Sequence, residues 1–292
     1  MASGNVSLGI SWYSVIAAWR RGEMSAGRFI DFAKEVGADG VELLDAFLYE
    51  PGEVRDHLPH QAKVDRLLEE TKEALARTGL KIHSISVTND FNHDDTGRLI
   101  LEREKIRLGI DLAKEIGASV VRVFSGNPTS TDSIDLVRYR TIDALKDLDD
   151  ASVMLALENH GNVFATPSRL MSILEPLQGR NTGLCFDVGN FLLASVDAVE
   201  AARELPAPAL IHVKDFRPAE PGVYRSNKGV GYDGCRLGEG VVPIEEALAV
   251  LIEKVGEKPI FIDLEMECGE DGVEATRAGM DWLRSKVQSL QG

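Results

Sequence analysis

The sequence predicts a closed (β/α)8 barrel, a TIM barrel, formed as a single domain over residues 1–292, and three observations carry that expectation. Short β-branched runs alternate with longer segments of helical period along the whole chain, and strict alternation implies a parallel sheet with crossover helices. Eight strand-helix units share the chain, and eight units in roughly 250 residues or a little more is the length at which such a sheet closes. The stretches Ala33-Lys34-Glu35-Val36-Gly37-Ala38 and Ala113-Lys114-Glu115-Ile116-Gly117-Ala118 are near copies. Each ends a helix on a glycine suited to the left-handed cap and then enters a strand, so two units are built alike.

The strands are read from the apolar runs at 6–10, 41–44, 82–87, 120–124, 153–157, 184–186, 209–213 and 260–264. Each is short and nearly continuous in apolar side chains, as a strand covered on both faces should be. Between them, 66–77, 101–116, 244–255 and 273–290 carry apolar residues three and four apart, the stripe of an amphipathic helix. No Pro/Ser-rich linker interrupts the alternation, and no glycine fingerprint of a nucleotide-binding open sheet directly follows one of these strands. Two long irregular segments remain, 45–62 and 216–242, each after a strand and so at the C-terminal face of a barrel, where active sites are built. The second carries Arg225, Lys228, Tyr232 and Arg236 among six glycines. It reads as a hinged lid whose basic groups meet an anionic substrate or a partner subunit, against the alternative of a passive surface loop.

Composition narrows the function. An apolar fraction of 44% with 27% charged residues is globular and excludes disorder, collagen and coiled coil. With 47 acidic against 32 basic side chains the net charge is -15, which repels phosphate backbones and anionic membranes and argues against nucleic acid and membrane partners. Three distant cysteines, Cys185, Cys235 and Cys268, form no disulfide or zinc pattern, and no secretory leader is legible, so a reducing cytoplasm is expected. A small molecule is left as the main partner, with a homo-oligomer open.

The informative feature is what ends the last four strands. The fifth runs into Glu158-Asn159-His160, the sixth ends at Asp187, the seventh holds His212 and Lys214 on one face, and the eighth ends at Glu265. Four consecutive strands thus bring Glu158, Asp187, His212 and Glu265 to one rim. Three carboxylates and an imidazole in an apolar mouth repel one another unless a cation sits among them. A divalent metal is the natural occupant, and an oxygen-rich set with one imidazole and no thiolate suits Mn2+, Mg2+ or Co2+, with Zn2+ also open and no choice among them fixed by the ligands. Taken singly, each acidic residue is equally a helix N-cap or a solvated loop residue.

These residues resemble the metal tetrad of the xylose isomerase-like TIM-barrel superfamily, the sugar phosphate isomerase/epimerase group. The phrases Ala38-Asp39-Gly40-Val41-Glu42-Leu43, Val121-Arg122-Val123-Phe124, Leu157-Glu158-Asn159-His160-Gly161, Phe186-Asp187-Val188-Gly189-Asn190 and His212-Val213-Lys214-Asp215 resemble the family's strand ends in order, over essentially the whole chain. The family's abasic-site endonuclease branch uses three zinc ions and many histidines, one of them three residues after the sixth-strand Asp. Here that place is Asn190, and the chain has six histidines in all. Ketose 3-epimerases of the family tend to carry His there and Pro after the fifth-strand Glu, where this chain has Asn159. The pairs Glu158-x-His160 and His212-x-Lys214 resemble instead the family's 3-dehydroshikimate and inosose dehydratases.

The resemblance implies a metal-dependent isomerase or epimerase of a sugar or related polyol carbonyl compound. The metal would stabilise an enediolate while Glu158 and Glu265 exchange the α-proton, with His160 as an alternative donor. The alternative is a lyase or dehydratase that uses His160 as base and Lys214 to steady the negative charge; a third reading is a binding protein without turnover. Around the tetrad, Trp12, Glu42, Asn89, Arg122, Asn190 and Arg225 are the candidate substrate contacts. Each has a plainer reading beside it: core packing for Trp12, along with Tyr13 and Trp19, and a mutual ion pair inside the barrel for Glu42 and Arg122. His83 opens the third strand far from this rim and reads as structural, whereas Asp90 lies beside Asn89 at the favourable end.

Overall fold

The computed structural model describes residues 5–126, 128, 131–268 and 272–291. Its barrel strands are β1 (Val6–Ser11), β2 (Gly40–Leu44), β3 (Lys81–Ser86), β4 (Val120–Val123), β5 (Met154–Glu158), β6 (Thr182–Asp187) and β7 (Leu210–Val213). After three short strands, β8 (Asp215–Pro218), β9 (Tyr224–Arg225) and β10 (Gly231–Cys235), the barrel is completed by β11 (Ile260–Leu264). The barrel closes in the order β1-β11-β7-β6-β5-β4-β3-β2, and every neighbouring pair is parallel. Each apolar run read as a strand is one of these eight, displaced by no more than two residues at either end.

Outside the barrel lie α1 (Ile16–Arg20), α2 (Ala26–Glu35), α3 (Gln61–Thr78), α4 (Thr96–Ile116), α5 (Thr131–Asp147), α6 (Gly161–Phe164), α7 (Pro167–Leu174), α8 (Val188–Leu193), α9 (Ala198–Glu204), α10 (Ile244–Val255) and α11 (Gly272–Gln291). Among the described residues no helix is long and apolar enough to cross a membrane. The two copied phrases behave alike: after α2 and α4, Gly37 and Gly117 take φ of 75° and 76°, and Ala38 and Ala118 bond back to Ala33 and Ala113.

A polar group fills part of the barrel interior beneath the strand ends. His83 is fully buried, with Nδ1 2.6 Å from Asp263 Oδ1 and Nε2 2.8 Å from Ser7 Oγ. It fits because residues 9 and 40 are glycines: a Cβ on Gly40 would lie 2.2 Å from the imidazole, and one on Gly9 2.1 Å from Asp263. His83 is thus structural, as the sequence suggests.

The segment 216–242 differs from expectation. Instead of an irregular loop, the stretch from Asp215 to Cys235 forms the antiparallel sheet β8-β10-β9. Two of the segment's glycines serve close packing, since a Cβ on Gly234 would meet Glu267 O at 1.9 Å and one on Gly240 would meet Phe216 O at 2.3 Å. Gly229-Val230-Gly231-Tyr232-Asp233-Gly234 spells the spacing of a nucleotide loop, yet it opens no helix and lies in the β9-β10 hairpin. The first segment remains largely irregular, with a 3-10 turn at Asp45–Leu48 before α3.

Candidate active site

Alternation along the strands decides which side chains reach the mouth. Glu158 ends β5, Asp187 ends β6, His212 lies on β7, and Glu265 follows β11, and all four are buried. One ligand atom from each lies within 4.8 Å of the others. Cys185, two residues before Asp187 and therefore on the same face, forms a second group with Glu158 and His212. Burial pushes the Cys185 thiol up to about 12, which keeps it protonated and leaves the carboxylate set as the better donor group.

The donor set fits a divalent cation on its own geometry. Glu158 Oε2, Asp187 Oδ2 and His212 Nδ1 are buried and have no hydrogen-bond partner among the described residues, a costly arrangement without a cation to receive them. The cations beside them stand off the hydrogen-bond direction, with Arg122 Nε 3.1 Å from Glu158 Oε2 and Lys214 Nζ 2.9 Å from Asp187 Oδ2. The other atoms of the tetrad are tied down. Asp187 Oδ1 accepts from Asn190 N at 2.9 Å, capping α8, so this aspartate is an N-cap and a candidate ligand at once. Asn190 Nδ2 donates to Glu158 Oε1 at 2.9 Å. Asn159 clamps the sixth strand to the fifth, its amide bonding Asp187 O and N at 2.8 and 2.7 Å.

Glu42 takes a place the sequence did not suggest. It is fully buried behind His212, with Oε1 3.1 Å from His212 Nε2, and it also accepts from Ser84 Oγ at 3.1 Å and from Ser86 Oγ. Burial raises this carboxyl, but His212 and Arg122 outweigh that and hold it down at about 2. An ionised carboxylate only accepts, so Nε2 must carry the proton and Nδ1 is the nitrogen turned to the tetrad. The expected Glu42–Arg122 ion pair is replaced by two others, Glu42 with His212 and Arg122 with Glu158. Glu42 does not line the cavity, whereas Arg122 does.

That cavity, of about 470 Å3, opens above the tetrad and is lined by Glu158, Glu265, His160, Lys214, Arg122 and Asn190 from the sequence reading. It is also lined by Tyr13, Arg55, Thr88, Tyr224 and Glu267, which that reading passed over as site residues or assigned to packing. Glu267 had a signal: it follows Glu265 by two residues and so shares its face. Lys214 Nζ lies 2.7 Å from Glu265 Oε2 and 2.7 Å from Glu267 Oε1 in addition to Asp187, an ammonium held by three carboxylates. A more open depression of about 660 Å3 adjoins the cavity across Tyr13, Tyr224 and Glu267 but is lined by none of the tetrad, so the chemistry belongs to the smaller space.

Three other expected substrate contacts are elsewhere. Trp12 is core, stacked on Phe47 at 3.6 Å and Phe29 at 5.5 Å between ring centres, and its neighbour Tyr13 lines the cavity instead. Both halves of the Asn89 amide are taken by the Phe124 main chain, at 2.7 and 2.8 Å. Arg225 is exposed and donates to Gly229 O at 2.7 Å, stabilising its own hairpin.

Burial and local charge set the protonation. Burial tends to raise Glu158, and Arg122 with His212 more than reverses it, leaving the carboxyl well below the usual range. Burial pushes Asp187 up to about 7, with Lys214 opposing and Glu158 and Glu265 reinforcing. Burial, aided by Lys214 and Arg122, lowers the His160 imidazole, which lies 4.1 Å from the Phe124 ring. Among the described residues no hydrogen bond holds the His160 ring.

Comparison with known proteins agrees with this architecture. The L-ribulose-5-phosphate 3-epimerase UlaE of Salmonella paratyphi C is 24% identical over 226 residues, 74% of this chain and 76% of that protein. The crystal structure of the IOLI protein with a bound zinc atom aligns with a TM-score of 0.73 at 16% identity, covering 97% of this chain and 99% of that one. The structure of the probable 3-DHS dehydratase AsbF of Bacillus anthracis, involved in petrobactin synthesis, aligns with a TM-score of 0.68 at 19% identity, covering 95% and 98%. At such identities the structural likeness is one of fold. A family model described as xylose isomerase-like TIM barrel matches residues 30–286, and the chain belongs to that family.

Proposed function

We propose that the chain is a divalent-metal-dependent isomerase or epimerase of a sugar or related polyol carbonyl compound. The observation that carries this reading is the set of four buried donors within 4.8 Å of one another under the cavity, three of them with an atom left unpartnered among the described residues. Glu158, Asp187, His212 and Glu265 would hold the cation, Mn2+ foremost, with Mg2+, Co2+ or Zn2+ suited to the same donors. When bound, the cation supplies Lewis-acid polarisation of the substrate carbonyl and its neighbouring hydroxyl. Glu158 and Glu265 come from the outer two of the four contributing strands and both face the cavity. One removes the proton from the carbon next to the carbonyl, and the other, or His160, returns it. Arg122 keeps Glu158 ionised and able to accept, and Asn190 fixes its orientation. The likeness to an epimerase and to a zinc-bound structure supports the reading.

The test is a panel of keto sugars offered to metal-loaded protein in deuterated water. Deuterium should enter the carbon next to the carbonyl, and Asp187→Ala should lose both metal and exchange. Turnover with no exchange and no solvent isotope effect rejects the proton-transfer route, and full metal occupancy in Asp187→Ala rejects the ligand set.

One observation favours a second reading. The His160 imidazole, lowered by burial and facing the cavity, is fit to act as a base, and Lys214 borders the same space. A lyase would use His160 to take the α-proton while a β-substituent departs, a chemistry consistent with the likeness to a probable dehydratase. Elimination yields an ultraviolet-absorbing enone, so product spectra separate the two.

A further inference from the structure

Four cationic side chains border the cavity, and two are already committed: Arg122 to Glu158, and Lys214 to Asp187, Glu265 and Glu267. Arg20 and Arg55 have no carboxylate within ion-pair distance among the described residues. They differ in how they are held. Arg20 is exposed at the end of α1, and its side chain makes no hydrogen bond among the described residues. Arg55 is half-buried, donates from Nη1 to Thr88 Oγ1 at 3.3 Å and sits 5.8 Å from the centre of the Tyr49 ring. Thr88 is anchored in turn, its N and Oγ1 donating to buried Asp45 at 3.0 and 2.9 Å. Asp45 therefore fixes Thr88, Thr88 fixes Arg55, and most of the five guanidinium N–H donors remain for the cavity.

Charge completes the argument. Arg122 and Lys214 are drawn to the tetrad carboxylates and Glu267, so Arg20 and Arg55 are the cationic groups on the cavity wall without a direct carboxylate contact among the described residues, and a planar donor fork is suited to an oxyanion. Arg55 and Thr88 also border an adjoining depression of about 420 Å3, which leaves room there for a group larger than a hydroxyl.

We infer that the substrate bears an anionic group, a phosphate ester or a carboxylate, away from its carbonyl, and that Arg55 receives it. The inference rests on the proposed sugar-carbonyl chemistry. Its test is calorimetric binding of D-fructose, D-fructose 6-phosphate and D-fructuronate, which differ only at the far carbon, to metal-loaded protein at fixed salt. A charged hydrogen-bonded pair predicts that at least one anionic ligand binds roughly 10- to 100-fold more tightly than D-fructose, and the tighter of the two identifies the group. Arg55→Ala should abolish that preference, and thermal unfolding of the metal-loaded variant checks that it has kept its fold. Arg55→Lys should recover part of the preference. Equal binding of all three ligands, no binding of any, a preference that survives Arg55→Ala, or one lost only in Arg20→Ala overturns the inference. An Arg55-dependent preference without deuterium exchange rejects the isomerase reading alone, and exchange into neutral keto sugars without the preference rejects this inference alone.

Discussion

Replacing Glu42 by Gln tests whether a residue that does not line the cavity sets the metal site. The substitution keeps the shape and leaves an amide oxygen to accept from Ser84, Ser86 and His212, while removing one charge from a fully buried position. That charge is present at any working pH, because the carboxyl is held at about 2. Its loss lowers the basicity of His212 and loosens the preference for a proton on Nε2, both of which weaken Nδ1 as a ligand. Supporting carboxylates of this kind are typically worth 10- to 100-fold in metal affinity, or about 1.4 to 2.7 kcal/mol. Competition of Mn2+ between the protein and a fluorescent chelator measures the change, and thermal unfolding of metal-free protein checks that the barrel is intact. An affinity within twofold of wild type in a folded Glu42→Gln protein would refute the reasoning.

Two further predictions concern pH and the buried pair His83–Asp263. Burial pushes the Asp187 carboxyl from 3.8 up to about 7, so it binds its proton more tightly folded than unfolded. Its contribution to stability is therefore full below about 4 and lost as pH rises through 7. A metal must displace that proton below pH 7, and also the proton that neighbouring Glu42 and Glu158 help keep on His212, so Mn2+ affinity should rise at least about tenfold per pH unit there; a flat titration between pH 5.5 and 8 contradicts this. Asp263→Ala, by contrast, should lower unfolding free energy by about 3 kcal/mol in a denaturant titration, because His83 loses a buried partner 2.6 Å away. It keeps all four candidate ligands, so metal should still bind, and complete loss of metal from the folded variant would show that this buried pair, which adjoins His212 in the strand register, supports the ligand set.

The sequence by itself determined the barrel and the four candidate ligands, since both rest on local periodicity. Continuous apolar runs mark buried parallel strands, and a polar residue of the right parity at a strand's end must point into the mouth, which places Glu158, Asp187, His212 and Glu265 without knowledge of any distance. His83 was legible for the same reason, lying at the start of its strand. What the tertiary structure alone decided is which partner each charged group takes. Glu42 and Arg122 sit at equivalent places in repeated units, yet the closed barrel brings His212 to one and Glu158 to the other, across sequence separations of 170 and 36 residues. Trp12 and Tyr13 are adjacent, and only packing against Phe29 and Phe47 turns the first to the core and leaves the second at the cavity. Arg55 and the sheet within 216–242 carry no periodic signal, being fixed by single contacts such as Thr88 and by the close approach of Gly234 to the Glu267 carbonyl. Period encodes which way a side chain faces; a partner far away in sequence exists only once the chain has closed on itself.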